Sequence, residues 1–279
     1  MKLLITGATG NVGRATIAQL PLDRVEVYAS VRDIQTARKV FPDERIHLLA
    51  LDFEQGAVLG RAMSFDSILL IRPPQIAKEE VFRNFLSSVS RETRIVFLSV
   101  QGADTKSYLP HAKIEKAIVE MGFPHLFLRP SYFMENLLTT LRPELQEHGR
   151  IFLPSGSLPF NWISAWDIGT IAAKGLQGII AEQAVTLTSS EWHGFASVIS
   201  MINQECGTSF RYESPGLFRF VITLWRQGKP VSFILVMLLL HFLPRLQKPL
   251  PVSSDFVRFT GEEPQGLRDF IEEHREAFY

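Results

Sequence analysis

Three glycines near the N-terminus have the spacing of a phosphate-binding loop. Gly7, Gly10 and Gly13 follow the apolar run 3–5, which predicts a buried strand, and they precede apolar residues at helical spacing from Val12. The first glycine permits a tight turn, the second lets backbone N–H groups approach a pyrophosphate, and the third allows close helix packing. The phosphates would face the positive end of the helix. An ordinary glycine-rich turn is the alternative, but the strand-to-helix context favours the nucleotide loop.

The end of the second predicted strand bears on which dinucleotide would bind. Residues 25–31 are apolar and β-branched, and Arg32 and Asp33 follow them. Sites for NAD place a carboxylate here for the ribose hydroxyls, whereas an arginine can bind a 2′-phosphate through two parallel hydrogen bonds. Arg32 therefore favours NADP(H), with a solvated surface charge as the alternative. After the third strand, Asp52 and Phe53 would suit the adenine, although an Asp there is often a turn or cap residue.

A catalytic acid is harder to identify. Short-chain dehydrogenases use Tyr-x-x-x-Lys, which places both side chains on one helical face. Tyr108 and Lys113 are five apart with Pro110 between them, and five residues leave the side chains about 140° out of alignment on a helix. Lys113 alone could reach a nicotinamide ribose or a substrate carbonyl, and a solvent-facing lysine is an equally good interpretation. His111 could donate a proton, but a lone histidine at a helix start is more often a cap or surface residue.

Strands and helices alternate through the first 150 residues. This alternation predicts an α/β fold, a Rossmann doubly wound parallel sheet that binds its ligand outside the carboxyl ends of the strands. The predicted strands are 3–5, 25–31, 46–51, 67–71, 93–98 and 125–128, and the helices after the first are 34–40, 55–63, 78–90 and 111–121.

After residue 149 the alternation breaks down. Strand-like pieces occur at 150–153 and 184–188, and helical patterns at 165–176, 194–206 and 267–277. We therefore predict an NAD(P)-binding domain at 1–150 and a smaller α+β C-terminal lobe for substrate or partner at 151–279, partly wrapped on the first.

Residues 218–246 are unusually apolar. The run from Val231 to Leu243 has thirteen residues, whereas a membrane span needs about 20, so we expect no membrane span. A buried or dimer-interface helix is the favoured interpretation, which leaves a homodimer open. The wall of a pocket for a lipophilic substrate and a shallow membrane contact are the alternatives.

Composition excludes several classes of protein. The 279 residues carry 29 basic and 29 acidic side chains, so no nucleic-acid surface is indicated. Cys206 is the single cysteine, which excludes an intramolecular disulfide and fits a reducing cytoplasm. Cys206 has no histidine or second cysteine beside it in the sequence, so no metal site is indicated there. The chain enters a strand at once, so we expect no signal peptide and a cytoplasmic location.

Together, these motifs resemble the NmrA-like group of atypical short-chain dehydrogenases/reductases. The resemblance covers nearly the whole chain, matches poorly at 218–246 and is most specific at 128–137, Leu-Arg-Pro-Ser-Tyr-Phe-Met-Glu-Asn-Leu. The other segments that carry it are 7–13, 31–33, 111–118, 163–169 and 259–271.

This resemblance implies a Rossmann fold with a small C-terminal lobe, a preference for NADP, and a set of cofactor contacts. Gly7, Ala8, Thr9, Gly10, Asn11 and Val12 would hold the pyrophosphate, Arg32 the 2′-phosphate, and Ile71, Arg72 and Pro73 would flank the adenine ribose. Lys113 would lie near the nicotinamide, and Ser131, Tyr132 and Phe133 beside its ring. Ser99, which follows the fifth strand, joins Asp52 and Phe53 as a candidate cofactor contact. Lys113 also matches the lysine that aromatic-ether reductases use as a base, which makes it the candidate catalytic residue.

Two functions follow from the resemblance. Some members are NAD(P)H-dependent reductases of quinones, aromatic ethers or dyes, and others bind NADP(H) without clear turnover and act as redox sensors or regulators of transcription. We favour an NADPH-dependent oxidoreductase of a small apolar carbonyl or quinone, because solvent can protonate a reduced quinone without a tyrosine acid. A non-catalytic NADP(H)-sensing regulatory protein is the alternative, which the missing Tyr-Lys pair supports. The lack of a helix-turn-helix pattern argues against direct contact with nucleic acid.

Overall fold

Two compact units make up the protein in the computed structural model, which describes residues 1–60 and 63–279. Unit 1 comprises Met1–Ser131, Ala165–Thr188 and Ser253–Glu263, and unit 2 comprises Tyr132–Ser164, Ser189–Val252 and Pro264–Tyr279. The units interleave along the chain, whereas the sequence predicted one division at residue 150. The assignment of a cofactor role and a substrate role to separate domains stays a prediction.

Regular elements cover most of both units. In chain order the strands are β1 (Lys2–Ile5), β2 (Glu26–Val31), β3 (Ile46–Ala50), β4 (Ser67–Ile71), β5 (Arg94–Leu98), β6 (His125–Pro130), β7 (Tyr132–Phe133), β8 (Arg150–Phe152), β9 (Phe160–Ile163), β10 (Ala184–Leu187), β11 (Trp192–His193) and β12 (Arg211–Glu213). The helices are α1 (Asn11–Ala18), α2 (Ile34–Val40), α3 (Glu79–Ser87), α4 (Pro110–Glu120), α5 (Arg142–His148), α6 (Ala165–Leu176), α7 (Phe195–Cys206), α8 (Leu217–Arg226), α9 (Val231–His241), α10 (Asp255–Thr260) and α11 (Leu267–Glu273).

Unit 1 is built on a seven-stranded sheet in the order β10-β6-β5-β4-β1-β2-β3. Every neighbouring pair in it is parallel. The order from β3 to β6 is that of a doubly wound dinucleotide-binding fold, and its direction reverses between β1 and β4. The predicted fold class is therefore confirmed. Because β10 adds a seventh strand beside β6, part of the chain that the sequence placed in the smaller lobe belongs to this sheet.

Helices cover both faces of this sheet, as a parallel sheet requires. Leu4 and Ile68 belong to a buried cluster that also contains Phe82 of α3 and Ile114 of α4. Since neighbouring side chains on a strand alternate, the residues on either side of Leu4 point to the opposite face. There α6 packs on α1 so closely that a Cβ on Gly169 would lie 2.8 Å from the Cβ of Ala15.

The helix predicted at 55–63 is wrong. Phe53–Gln55 form a single 3-10 turn that ends at Gly56, whose φ of +77° is left-handed and stops a helix. Residues 57–60 have no regular structure. Residues 61 and 62, also within the predicted helix, lie outside the described residues. The sequence also left the short helix α5 unpredicted.

Unit 2 combines small sheets with helices around an aromatic core. Its strands form a sheet in the order β11-β9-β7 and a parallel pair of β12 and β8. Trp162, Phe195, Phe220 and Phe270 are almost completely buried in its core. This agrees with the expected smaller α+β lobe.

The apolar segment 218–246 forms α8 and α9 and ends in a 3-10 turn at Leu243–Leu246. The interpretation of α9 as a fully buried helix is wrong, because Val231, Leu235 and Val236 are exposed. A dimer interface stays a prediction. A cavity of about 250 Å³ is lined on this side by Phe220, Leu224, Phe233 and Met237, as a pocket wall would require. Among the described residues, no helix is long and apolar enough to cross a membrane.

Candidate functional site

The glycine loop between β1 and α1 has the predicted backbone geometry. Gly7 has a φ of +60°, a conformation that residues with a side chain rarely adopt. Its carbonyl accepts a hydrogen bond from the N–H of Gly10 at 3.0 Å, which closes the turn. A Cβ on Gly13 would lie 2.4 Å from the same carbonyl oxygen and 2.7 Å from Cα of Ala8. Only a glycine at position 13 therefore lets α1 start directly against the loop.

The first turn of α1 offers backbone donors to an anion. Gly10 is its N-cap and supplies no side-chain cap, and the turn contains no acidic residue. The N–H groups of this turn have no acceptor within the helix and carry the positive end of its dipole. Thr9 and Gly10 are exposed, and a Cβ on Gly10 would meet only the Gly7 carbonyl, at 3.3 Å. The loop therefore fits a diphosphate on its open side.

A second predicted cofactor segment lies directly beside this loop. The hydroxyl of Thr6, at the end of β1, accepts from the N–H of Ile71 at 2.8 Å and donates to the Leu69 carbonyl at 3.0 Å. A Cβ on Gly7 would lie 3.2 Å from the Cβ of Ile71. The structure thus brings Gly7 and Ile71 together where the strand order reverses, which is the usual ligand position in such sheets.

The end of β2 presents a cation and not a carboxylate. Arg32 is exposed and forms no ion pair within the described part of the chain. Asp33 instead caps α2, accepting from the Thr36 hydroxyl at 2.6 Å and the Gln35 N–H at 2.9 Å. These two hydrogen bonds lower the pKa of Asp33. Because β2 pairs with β1, Arg32 lies at the same edge of the sheet as the glycine loop.

The residues after β3 have structural partners of their own. Asp52 caps the 3-10 turn, accepting from the Glu54 N–H at 2.9 Å and the Gln55 side-chain amide at 3.1 Å. Phe53 is buried, with its ring centroid 5.3 Å from that of Phe82 in α3. The cap role is the alternative that the sequence left open for Asp52. Contact of either residue with adenine stays a prediction.

Arg72 organises the loop after β4 from inside. Its guanidinium donates to the carbonyls of Pro73 at 3.1 Å, Pro74 at 3.1 Å and Ile76 at 2.7 Å, and to Nε2 of His111 at 3.3 Å. Burial lowers the pKa of Arg72. Burial and the neighbouring Arg72 charge lower the pKa of His111 to about 3. His111 is therefore a neutral acceptor and neither a helix cap nor a surface residue, so it is not a cationic proton donor at neutral pH.

A buried ion pair that the sequence did not reveal lies behind Ser99. The Ser99 hydroxyl donates to Oε1 of Glu115 at 2.5 Å. Arg129 donates to the same carboxylate from Nε at 3.0 Å and from Nη2 at 2.7 Å. Its Nη1 lies 3.5 Å from Oδ2 of Asp104. Hydrogen bonding to Glu115 raises the pKa of Arg129. The one signal in the sequence was Arg129 at the end of a buried strand, because a buried arginine needs an acidic partner.

Lys113 lies on α4 with its side chain exposed. It borders a surface depression that also borders Asp104 and Arg129, and it forms no ion pair among the residues described. Because α4 begins at Pro110, Tyr108 precedes the helix and is itself exposed. Tyr108 and Lys113 therefore do not share one helical face. The catalytic use of Lys113 stays a prediction.

The last predicted contacts are divided between the units. Ser131 closes unit 1, and its N–H donates to the Leu187 carbonyl at 2.9 Å. Tyr132 and Phe133 form β7 in unit 2, where the Tyr132 hydroxyl lies 2.9 Å from Nε2 of His241. Burial raises the pKa of Tyr132 and lowers that of His241 to about 4. Tyr132 therefore donates to a neutral imidazole.

Most of the predicted cofactor residues therefore share one edge of the unit 1 sheet. Each follows the carboxyl end of a parallel strand, and these ends meet at one edge. In strand order from β1 to β6, they are the Gly7–Val12 loop, Arg32, Asp52 with Phe53, the Ile71–Pro73 segment, Ser99 and Ser131.

Comparison with known proteins identifies the family. The NmrA-like family model matches residues 1–217, and the chain belongs to the NmrA-like family. An NAD(P)H azoreductase from Xenophilus azovorans is 23% identical over 284 residues, covering 99% of each chain.

Solved structures with the same fold include two reductases. One is an NADPH-dependent quinone oxidoreductase from Escherichia coli complexed with NADPH, with a TM-score of 0.80 and 20% identity, covering 97% of this chain and 99% of the other. The second is a Citrobacter triphenylmethane reductase complexed with NADP(H), with a TM-score of 0.78 and 19% identity, covering 98% and 99%. At these identities the likeness shows the shared fold.

Proposed function

We propose that this NmrA-like protein is an NADPH-dependent oxidoreductase that reduces a small apolar carbonyl or quinone. The observation that carries the proposal is the uncapped first turn of α1, which faces the edge of the sheet where Arg32 and Ile71 also lie. Backbone donors and an arginine that forms no ion pair among the described residues lie at one edge, and both suit the charges of a phosphorylated dinucleotide.

Each part of this edge has a role in binding the cofactor. The N–H groups after Gly10 would hold the pyrophosphate, and Arg32 would bind the 2′-phosphate, because Asp33 is engaged as a helix cap. The Ile71–Pro73 segment, fixed by Thr6 and Arg72, would border the adenine ribose. When bound, NADPH supplies the hydride.

The acceptor class is inferred from the described residues near α4 and from the relatives of the chain. Tyr108 is exposed before α4, and His111 is neutral, so neither of these two residues is placed as the usual general acid. Quinones and azo compounds accept a hydride and take their proton from solvent or from a weak acid such as Lys113. The Xenophilus relative is an azoreductase and the Escherichia coli neighbour a quinone oxidoreductase.

The test follows NADPH absorbance with purified protein and a panel of quinones, azo dyes and aldehydes. The proposal expects turnover with at least one aromatic acceptor. Where an aldehyde is the acceptor, deuterium from deuterated NADPH should appear on the carbinol carbon of the alcohol product. A Gly10→Val variant is the control, because it should lose turnover while it keeps its fold. NADPH binding without turnover of any acceptor would instead support the NADP(H)-sensing function. A cytoplasmic location stays a prediction for either function.

A further inference from the structure

Helices α8 and α9 in unit 2 leave large apolar side chains in water. Their inner faces supply Phe220, Leu224, Ile234 and Met237 to one buried cluster. On the outer faces, Phe218 is 81% exposed, Trp225 68% and Leu235 60%. The exposed residues, called here the α8–α9 apolar surface, are Leu217, Phe218, Val221, Trp225, Val231, Leu235, Val236 and Leu240. Large apolar residues exposed on two neighbouring helices are typical of an interaction site.

The segment that carries this surface is basic. Residues 214–252 contain five Lys or Arg and no Asp or Glu, in a chain whose basic and acidic residues both number 29. These five are Arg219, Arg226, Lys229, Arg245 and Lys248. Arg226 and Lys229 flank the turn at Gly228 that joins the helices, and neither forms an ion pair within residues 1–60 and 63–279.

Acidic side chains of unit 2 offset part of this charge, because Glu213 pairs with Arg219, and Glu144 and Glu147 line one cavity together with Lys229. Glu144 and Glu213 are both held by Arg150, at 2.7 and 2.6 Å, and Glu213 also pairs with Arg219. The surface combines exposed aromatic and aliphatic groups with Arg226 and Lys229 at the Gly228 turn, neither of which forms an ion pair among the described residues. Amphipathic segments that lie in the headgroup region of anionic bilayers have this combination.

A second copy of the chain fits this surface less well. In a two-fold symmetric dimer the same patch would face itself, so the basic residues of one copy would be brought toward those of the other. A bilayer that carries anionic phospholipids supplies the opposite charge and an apolar interior together. Trp225 is also of the type that concentrates at the membrane interface.

We propose that the α8–α9 apolar surface docks this protein on anionic phospholipid bilayers, with both helices lying in the headgroup region and neither crossing the membrane. The eleven residues of α9 extend about 16 Å, roughly half the hydrocarbon thickness of a bilayer. This binding adds a location to the proposed reductase, and it does not depend on NADPH turnover.

Cosedimentation of the full-length protein with lipid vesicles tests the proposal. We expect binding to phosphatidylcholine–phosphatidylglycerol vesicles that weakens with added salt, and little binding to pure phosphatidylcholine. A Phe218→Ser/Trp225→Ser variant should lose about tenfold or more in vesicle affinity. An Arg226→Gln/Lys229→Gln variant, which leaves the apolar residues intact, should lose roughly fivefold for each charge removed.

A matched control separates surface hydrophobicity in general from this site. Trp166, in α6 of unit 1, is 54% exposed, and Trp166→Ser should leave vesicle binding unchanged. Circular dichroism and NADPH affinity report whether each variant stays folded. Two results overturn the proposal: no binding of the unmodified protein to anionic vesicles, or equal binding by folded protein and both double variants. If light scattering then shows a dimer that Phe218→Ser/Trp225→Ser disperses, a second copy occupies the surface.

Discussion

Replacing Gly10 and Gly13 separately should distinguish a glycine that a ligand needs from one that the fold needs. In Gly10→Val the new Cβ would meet only the Gly7 carbonyl, at 3.3 Å, and the extended backbone at this position accepts a β-branched residue. The expected loss of stability is about 1 kcal/mol, since valine is a poorer N-cap than glycine. The side chain would, however, stand where phosphate oxygens approach the N–H groups of α1.

The expected loss of affinity can be estimated from the contacts that would be blocked. A hydrogen bond to a charged group contributes about 1.5 kcal/mol or more, so losing two of them lowers NADPH affinity by roughly a hundredfold. Gly13→Ala should behave differently, because its Cβ would lie 2.4 Å from the Gly7 oxygen and 2.7 Å from Cα of Ala8. Such overpacking against backbone costs about 1–3 kcal/mol or more of stability.

Two measurements on each variant separate these effects. Urea unfolding gives stability, and NADPH titration by fluorescence gives affinity. We expect Gly10→Val to be nearly as stable as the unmodified protein but defective in binding, and Gly13→Ala to be clearly less stable. The reasoning would be refuted by a folded Gly10→Val protein that binds NADPH with unchanged affinity, because the loop would then be only a turn.

Three further predictions concern buried charges and Lys113. Arg129→Met should cost about 3–5 kcal/mol in urea unfolding, because it leaves the buried Glu115 carboxylate unpaired, and adding Glu115→Gln should recover most of this loss. Burial lowers the pKa of His241 in the folded protein to about 4 from 6.5. Between pH 4 and 6.5, His241 therefore binds a proton in the unfolded chain but not in the folded protein. Stability should therefore fall as pH drops through this window, by up to about 3 kcal/mol, and a flatter pH profile in His241→Gln would check this. Lys113→Met should lower kcat by about a hundredfold if Lys113 donates the proton, whereas Lys116→Met should not; equal kcat in both variants would assign the proton to solvent.

Local patterns in the sequence predicted most of unit 1. The apolar run of β1, the glycine spacing and the helical stripe of α4 each depend on neighbouring residues, and the structure confirms the doubly wound sheet that they imply. The strand at 184–187 was recognised, but its pairing with β6 was not, because sheet neighbours far apart in sequence leave no local signal.

Side-chain partners were less predictable than elements. Nothing local indicates that His111 lies against Arg72, or that Glu115 pairs with Arg129, because both contacts join separate elements. The helix predicted at 55–63 failed where the left-handed Gly56 ends the turn. In unit 2 the strand β8 was predicted, whereas β7, β9, β11 and β12 were missed, since strands of two to four residues show too little alternation to detect.

The measurement that tests the central claim most directly is titration of the protein with NADPH and with NADH. Arg32 should make NADPH bind roughly ten- to a hundredfold more tightly, from a charge-assisted contact of about 1.5–3 kcal/mol. Arg32→Ala should close this gap, whereas Arg24→Ala, an exposed arginine before the opposite end of β2, should preserve it. Equal affinities for NADPH and NADH in the unmodified protein would contradict the account.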